Sequence, residues 1–331
     1  MSARVAVIGA GMAGLSCARQ LQAQGVAVEV FDKARGPGGR ACTRRVSTLT
    51  FDHGAPAIDA TGADLPDPLR SSFAMWMPRR GYPTSKGVRA LPGGPLWVPR
   101  PKMSALGRRL ARPLTLHLQH RVTRLAPTGT GWALYAQERL LGHFDWVVLA
   151  CPAPQAAALL PAGHPLHESV SAVRYLPAWV TMAIVEGLDE LGFDWVEGAG
   201  EACVRAIREN SKPGRSGLER WVLHSSPTWA SARLEAAPEK VGGEMLRAFV
   251  DAIAGAHIRD AWTHRWLYAH TLPPTRPPQL SDLATQLALC GDAYRSPGLL
   301  GAWHCGRELA EELLPALTRE PNPPRLRTAG Y

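Results

Sequence analysis

Gly9, Gly11, Gly14 and Asp32 are the residues of this 331-residue chain whose types and spacing most directly imply chemistry. The segment Gly9-Ala10-Gly11-Met12-Ala13-Gly14 has the spacing of a dinucleotide fingerprint. In that pattern the first glycine makes a tight turn, the second admits a pyrophosphate, and the third lets a helix pack closely on a strand. Met12 and Ala13 open the helix, whose free N–H groups and dipole favour an anion. Asp32 follows Gly14 by eighteen residues and offers a carboxylate to the ribose hydroxyls. A second glycine-rich turn, Arg35-Gly36-Pro37-Gly38-Gly39-Arg40, comes directly after it, with main-chain donors and an arginine for the same pyrophosphate. NAD domains have no regular use for such a turn, so the expected cofactor is FAD. Near the other end, Cys290-Gly291-Asp292 closes an apolar run, and Gly298, Gly301 and Ala302 begin a helix. An aspartate there suits a ribityl chain, and the helix N-terminus suits the negative charge of reduced flavin.

Those residues need elements to hold them. Arg4–Ile8 is a short β-branched run ending at a glycine, the pattern of a buried parallel strand. Leu15, Ala18 and Leu21 recur at helical spacing, Gly25 supplies the stop, and residues 26–31 form a second strand, completing a βαβ unit. Residues 61–101 are rich in proline, glycine and arginine without a sustained period, so loops and short strands are expected. A helix is predicted over 102–112 and strands over 114–118, 131–136 and 146–149. Strands over 178–185, 203–208, 221–224 and 261–268, with a helix over 239–254, make a second unit. Residues 287–314 return to strand, glycine turn and helix, and the proline-rich tail after Leu314 is expected to be poorly ordered. The fold class is therefore α/β: a Rossmann-like FAD-binding domain with an inserted substrate domain of mixed β-sheet and helices. The FAD-binding domain is assigned to residues 1–70, 100–158 and 285–331, and the substrate domain to 71–99 and 159–284.

The totals exclude several classes. With 46% hydrophobic and 20% charged residues, the chain is globular rather than disordered or fibrous. Its longest strongly apolar stretch, residues 5–18, is too short to cross a bilayer, holds three glycines and lacks a cleavage site, so neither membrane span nor signal peptide is expected. Cys17, Cys42, Cys151, Cys203, Cys290 and Cys305 form no C-x-x-C pair, which points to no metal site and to reduced thiols in a cytoplasmic protein. The formal charge of +9 resides in dispersed pairs such as Arg44-Arg45, Arg79-Arg80 and Arg108-Arg109 without interleaved aromatics. That pattern suits a solvated basic surface or a phosphate-bearing ligand rather than nucleic acid.

Several stretches resemble the renalase-like branch of the flavin-containing amine oxidase superfamily. They include Phe31-Asp32-Lys33 with Gly38-Gly39-Arg40, Phe51-Asp52-His53-Gly54-Ala55, Pro101-Lys102-Met103-Ser104-Ala105 and residues 147–155. Asn210-Ser211-Lys212-Pro213, His264-Arg265-Trp266-Leu267-Tyr268-Ala269, and Cys290-Gly291-Asp292 with Gly301-Ala302-Trp303 extend the likeness over nearly the whole chain. The resemblance implies that Gly9, Gly11, Gly14, Asp32, Lys33, Gly39, Arg40, Val122, Gly291, Asp292, Gly301 and Ala302 touch FAD, held without a covalent bond. It places Gly54 and Ala55 beside the flavin ring. After that Gly-Ala the family commonly carries Gln-Tyr-Phe, whereas this chain has Pro56-Ala57-Ile58, which removes an amide and an aromatic ring from the expected substrate wall. Ala293 likewise stands where a tryptophan often follows the Gly-Asp pair.

The activity implied is oxidation of a small molecule, a dihydropyridine form of an NAD(P) isomer, by hydride transfer to flavin N5, with O2 as acceptor and hydrogen peroxide released. Such a substrate expels its own hydride and leaves an aromatic cation, so positioning supplies much of the rate. Pro56, Ala57, Trp266 and Tyr268 are candidates for the pocket wall, with Arg265 as a phosphate partner. The alternatives are an amine oxidase or desaturase of the same superfamily, or an FAD-holding sensor or scaffold without activity.

Overall fold

The computed structural model describes residues 3–60, 65, 67–188, 191–272 and 278–318. It begins with strand β1 (Arg4–Ile8), helix α1 (Met12–Ala23) and strand β2 (Ala27–Asp32). β1 is buried from Val5 to Ile8 and is flanked by parallel strands on both sides, Trp146–Leu149 and β2. A strand with no solvent-facing side has no reason to alternate, which is why its sequence reads as an unbroken β-branched run. The sheet continues in parallel to Thr115–Leu118 beyond β2 and to Leu287–Leu289 beyond Trp146–Leu149, and the short antiparallel strand Ser281–Asp282 closes that edge.

α1 lies on this sheet with Leu15, Ala18 and Leu21 fully buried. The C-terminal helix Gly298–Leu317 packs across it at small residues. A Cβ on Gly306 would sit 2.1 Å from the Ala13 carbonyl oxygen, and the Ser16 hydroxyl donates to the Trp303 carbonyl. This helix runs through Pro315 to Leu317, past the end predicted at Leu314. Residues beyond 318, where the tail was expected to be poorly ordered, lie outside the described residues.

A second, seven-stranded sheet has the order His257–Leu272, Arg174–Glu186, Arg220–His224, Arg205–Arg208, Trp195–Glu197, Arg80–Thr84, Gly87–Leu91. Its two faces are separated by the two-residue period of the strand Arg174–Glu186. Trp179, Ala183 and Val185 face the helix Pro238–Ala252 and pack with Trp221, Met245 and Phe249. Val180, Met182 and Ile184 face the opposite way and pack with Phe51 of the first unit. The sheet therefore lies over the segment that follows Phe51.

Residues 73–99 form two antiparallel strand pairs rather than mainly loops: Phe73–Trp76 with Leu96–Pro99, and the hairpin Arg80–Thr84 with Gly87–Leu91. Trp76, Leu96 and Val98 bury against Trp195 and Ile207 from a distant part of the chain, a contact that local composition does not encode. The strand predicted over 203–208 opens with a short 3-10 turn at Glu201–Cys203 and starts at Arg205. The strand predicted over 261–268 extends to His257–Leu272, because pairing with Arg174–Glu186 holds its charged ends.

A buried ionic cluster pins the two units together. The Asp52 carboxylate accepts from the Thr43 hydroxyl, the Met103 amide and Arg215, and Lys212 Nζ lies 3.6 Å from it. Lys212 also bonds Glu209, whose other carboxylate oxygen accepts from the Asp52 amide. Burial alone would raise the pKa of Asp52, yet Lys212 and Arg215 hold it below the usual carboxylate range.

Candidate functional site

The topology of the first sheet dictates where a ligand goes. Chain order reverses at β1, whose neighbours β2 and Trp146–Leu149 lie on opposite sides, and ligands of such sheets bind outside the carboxyl ends at this switch point. A cavity of about 900 Å³ opens there.

The glycine turn after β1 is shaped by close approach. Gly9 has φ of +117°, and a Cβ on it would meet the Ala150 carbonyl oxygen at 2.7 Å. A Cβ on Gly14 would lie 2.0 Å from the Gly9 carbonyl oxygen and 2.9 Å from the Ala150 Cβ, so no larger residue permits this contact between α1 and the turn. At Gly11 the opposite holds: nothing lies within 4 Å of the added carbon, and the residue lines the cavity. The second turn is stitched onto the first, with the Gly38 amide donating to the Ala10 carbonyl at 2.7 Å. Two sets of main-chain groups thus border one space, at the N-terminus of α1.

Asp32 ends β2 at the cavity wall. Its two oxygens accept from the Ala10 and Ala34 amides at 2.6 and 2.7 Å, which fixes the carboxylate while leaving lone pairs for hydroxyl donors. Lys33, held by Gln155, and Val122 line the same end, with Met12 and Ala13 alongside.

At the other end Arg40 and Asp292 line the cavity together as an ion pair. Asp292 is 3% exposed and also accepts from the Thr271 hydroxyl and the Gly298 amide, both at 3.0 Å. Arg40 donates further to the Ala269 carbonyl of the long edge strand. One arginine thereby joins the second glycine turn, the C-terminal turn and the second sheet. Gly39, Gly291 and Ala302 line the cavity too, whereas Gly14, Gly54, Ala55 and Gly301, expected at the cofactor, fall outside its lining. A Cβ on Gly54 would strike the Arg40 carbonyl oxygen at 2.1 Å, and the Ala55 amide donates to that same oxygen.

The wall beyond Arg40 is aromatic. Trp266 and Tyr268 come from the edge strand, and Tyr268 packs on Tyr175 with ring centres 5.1 Å apart. Sequence reasoning passed over Tyr175, Cys42, His53 and His264, which line the cavity here. A signal for His264 was available: residues 264, 266 and 268 share one face of a strand. The same alternation turns Arg265 away. It sits opposite Trp179 in the register, donates to the Leu234 carbonyl and lies on the helix-bearing face, so it is not a phosphate partner in this cavity. Pro56 and Ala57 also fall outside the lining. The Ile58–Trp97 bridge draws the chain aside, and Ala57 packs against the Trp76 cluster instead.

Burial, then His264 and Arg44, push His53 down to about 4, so the ring is neutral at neutral pH. Burial and Arg44 lower His264 as well, and burial raises the Cys42 thiol to about 12. The unfolded chain binds protons on such rings near 6.5 and the folded chain only at lower pH, so stability is lost as pH falls from about 6.5 to about 4. His53 alone accounts for about 3 kcal/mol at the acid limit. Urea unfolding across that window is expected to show the decline, and His53→Gln to flatten it.

The donor set fits FAD: an open glycine cradle at a helix N-terminus, a fixed carboxylate at one end and a planar aromatic wall at the other. Arg40→Ala is expected to weaken FAD binding by roughly tenfold or more, with only partial recovery in Arg40→Lys, because a lysine cannot hold Asp292 and Ala269 in one plane. Fluorescence titration of the deflavinated variants measures this. Among the described residues no group of His, Cys, Asp and Glu is arranged to hold a metal, and no helix is long and apolar enough to cross a membrane.

Comparison with known proteins matches residues 7–69 to an NAD(P)-binding Rossmann-like domain and residues 84–188 to flavin-containing amine oxidoreductase. The zeta-carotene-forming phytoene desaturase of Myxococcus xanthus is 47% identical over 55 residues, covering 17% of this chain and 11% of that protein. The bifunctional protein for tRNA 5-methylaminomethyl-2-thiouridine biosynthesis of Magnetococcus marinus is 26% identical over 227 residues, covering 50% of this chain and 34% of that protein. The chain thus spans about a tenth to a third of the length of these curated relatives. Cyclohexylamine oxidase from Brevibacterium oxydans shares the fold with a TM-score of 0.77 at 15% identity, over 96% of this chain and 100% of that one. Reduced UDP-galactopyranose mutase does so with a TM-score of 0.74 at 11% identity, over 97% and 95%. The Rossmann-like match thus falls on the glycine turns, the flavin-containing amine oxidoreductase match on residues 84–188, and the fold is shared with these solved structures.

Proposed function

We propose that the protein is an FAD-dependent oxidase of the renalase-like kind, acting on a dihydropyridine nucleotide related to NAD(P)H. When bound, FAD supplies the two-electron chemistry, accepting a hydride and passing the electrons to O2, with hydrogen peroxide released. The protein's part is to hold and orient. Asp32 fixes the ribose, the paired glycine turns and the α1 N-terminus carry the pyrophosphate, and the Arg40–Asp292 pair anchors the flavin-proximal end. Trp266 and Tyr268 offer flat faces that exclude water and stack on a planar substrate.

The observation that carries this reading is the make-up of the wall beyond Arg40. It is aromatic and imidazole-bearing, and the charge of its carboxylate, Asp292, is already matched by Arg40, with Thr271 and Gly298 bonded to it as well. A protonated amine finds no free counter-charge there. A dihydropyridine needs none. The Tyr175 and Tyr268 rings, packed edge to face, favour a second reading, an amine oxidase in which an aromatic surface borders a neutral amine.

Anaerobic mixing of the flavin-loaded protein with dihydronicotinamide isomers, followed by air, tests the proposal. Bleaching of the flavin absorbance and stoichiometric peroxide are expected. Bleaching by amines alone supports the second reading. A holoprotein that responds to neither is a sensor or scaffold, and the proposal falls.

A further inference from the structure

The aromatic end of the cavity holds two imidazoles that hydride transfer does not itself use. His53 follows the short strand Leu49–Phe51, and His264 belongs to the edge strand His257–Leu272, so the two units of the fold contribute one each. Their rings meet edge to face at 5.1 Å, and Trp266 packs on both, at 5.4 and 4.8 Å. The Trp266 indole N–H donates to the His53 carbonyl and holds the pair in place. Both histidines line the cavity.

The titratable and charged groups facing the pair are Cys42, Arg44, Asp52 and His224, the last coming from the strand Arg220–His224 and its own pKa held well below the ordinary value by burial. Cys42 Sγ lies 3.6 Å from His53 Nδ1, and its thiol stays protonated. Arg44 bears on both rings, and Asp52 bears on His53 from the adjacent residue. Asp52 is itself engaged by Arg215, Lys212 and Thr43. On balance the surroundings are apolar or cationic, so two neutral rings are the resting state. Added negative charge in the cavity reverses that preference. The ring centres are 5.1 Å apart, so a proton on one ring disfavours a second on the other.

Proton balance gives the pair a task. A dihydropyridine that loses a hydride becomes an aromatic cation and releases no proton. Reduction of O2 to H2O2 consumes two electrons and two protons, while a hydride brings two electrons and one proton. One more proton must therefore enter the site from solvent in every turnover. We propose that the His53–His264 pair takes up this proton when the cofactor is reduced and delivers it to oxygen when the cofactor is reoxidised. The net change is then substrate hydride, O2 and one solvent proton converted to the oxidised cation and H2O2, with the pair neutral again at the end. A protonated imidazole pair also faces the negative charge that develops on oxygen. The inference rests on the dihydropyridine reading, since an amine oxidised to an imine brings its own second proton.

Photoreduction of the flavin-loaded protein in weakly buffered solution with an indicator dye counts the protons taken up per FAD, and needs no substrate. The charge of the reduced cofactor itself is read from its near-ultraviolet absorbance. At neutral pH the wild-type protein is expected to take up one proton more than the cofactor accounts for, and the double variant His53→Gln/His264→Gln none. Reoxidation by O2 is expected to slow in that variant by roughly 100-fold. Equal proton counts in the two proteins overturn the proposal. If the double variant does not fold, the wild-type count alone decides: uptake fully explained by the cofactor overturns it. Failure of dihydronicotinamides to bleach the flavin strikes only the substrate reading, because the proton count is independent of it.

Discussion

Gly14→Val is expected to yield protein without bound FAD, with affinity reduced by at least about 100-fold and stability by about 3 kcal/mol. The first carbon of any side chain at this position falls 2.0 Å from the Gly9 carbonyl oxygen and 2.9 Å from the Ala150 Cβ. Both are parts of the rigid β1 end and its neighbouring strand, so neither can swing aside. Relief requires α1 to lift off the sheet, which moves the helix N-terminus away from the pyrophosphate position and opens the packing of Leu15 and Ala18 beneath it. Flavin absorbance per protein and a thermal melt measure the two consequences. Gly11→Val separates them: open space surrounds that position, so the fold is expected to persist while the side chain occupies the cavity and FAD binding is lost. A Gly14→Val protein that purifies yellow and melts normally would contradict the assigned role of the turn.

Lys212→Met is expected to destabilise the protein by about 3–5 kcal/mol, because it leaves buried carboxylates short of their counter-charge. Lys212 is fully buried and shared between Glu209 and Asp52, whose side chains are 2% and 1% exposed. Arg215 remains for Asp52, but Glu209 loses its cationic partner. Burial already raises the Glu209 pKa, and the variant is expected to leave that residue protonated at neutral pH. The contrast is Arg307→Ala, which removes one partner of a half-exposed helical pair with Glu311 and is expected to cost less than about 1 kcal/mol. Urea unfolding at neutral pH measures both. Because Asp52 precedes His53, the Lys212 variant is also expected to broaden the cavity-facing geometry, read as a changed flavin spectrum in protein that still folds.

The residues themselves announced the cofactor half of the site. The glycine spacings, Asp32 and Asp292 are local signals: each depends on what a few consecutive residues do to the backbone at a strand end, and short-range sterics fix that without help from the rest of the chain. The substrate half was less legible. Pro56 and Ala57 follow Gly54-Ala55 in sequence, yet the Ile58–Trp97 bridge carries them out of the cavity lining, and Arg265 points to the opposite sheet face from Trp266. The role of Arg40 was also broader than its neighbours suggested, since its partners Asp292 and Ala269 lie 252 and 229 residues away.

By itself the sequence determined a βαβ opening, an FAD-type cradle and a globular α/β chain, because these follow from period, turn chemistry and composition. Only the tertiary structure decided which side chains share the far end of the cavity. Tyr175, His53 and the His264–Trp266 pair come from three separate segments and become neighbours through sheet register and the packing of Phe51 under the second sheet, long-range pairings that no local spacing specifies.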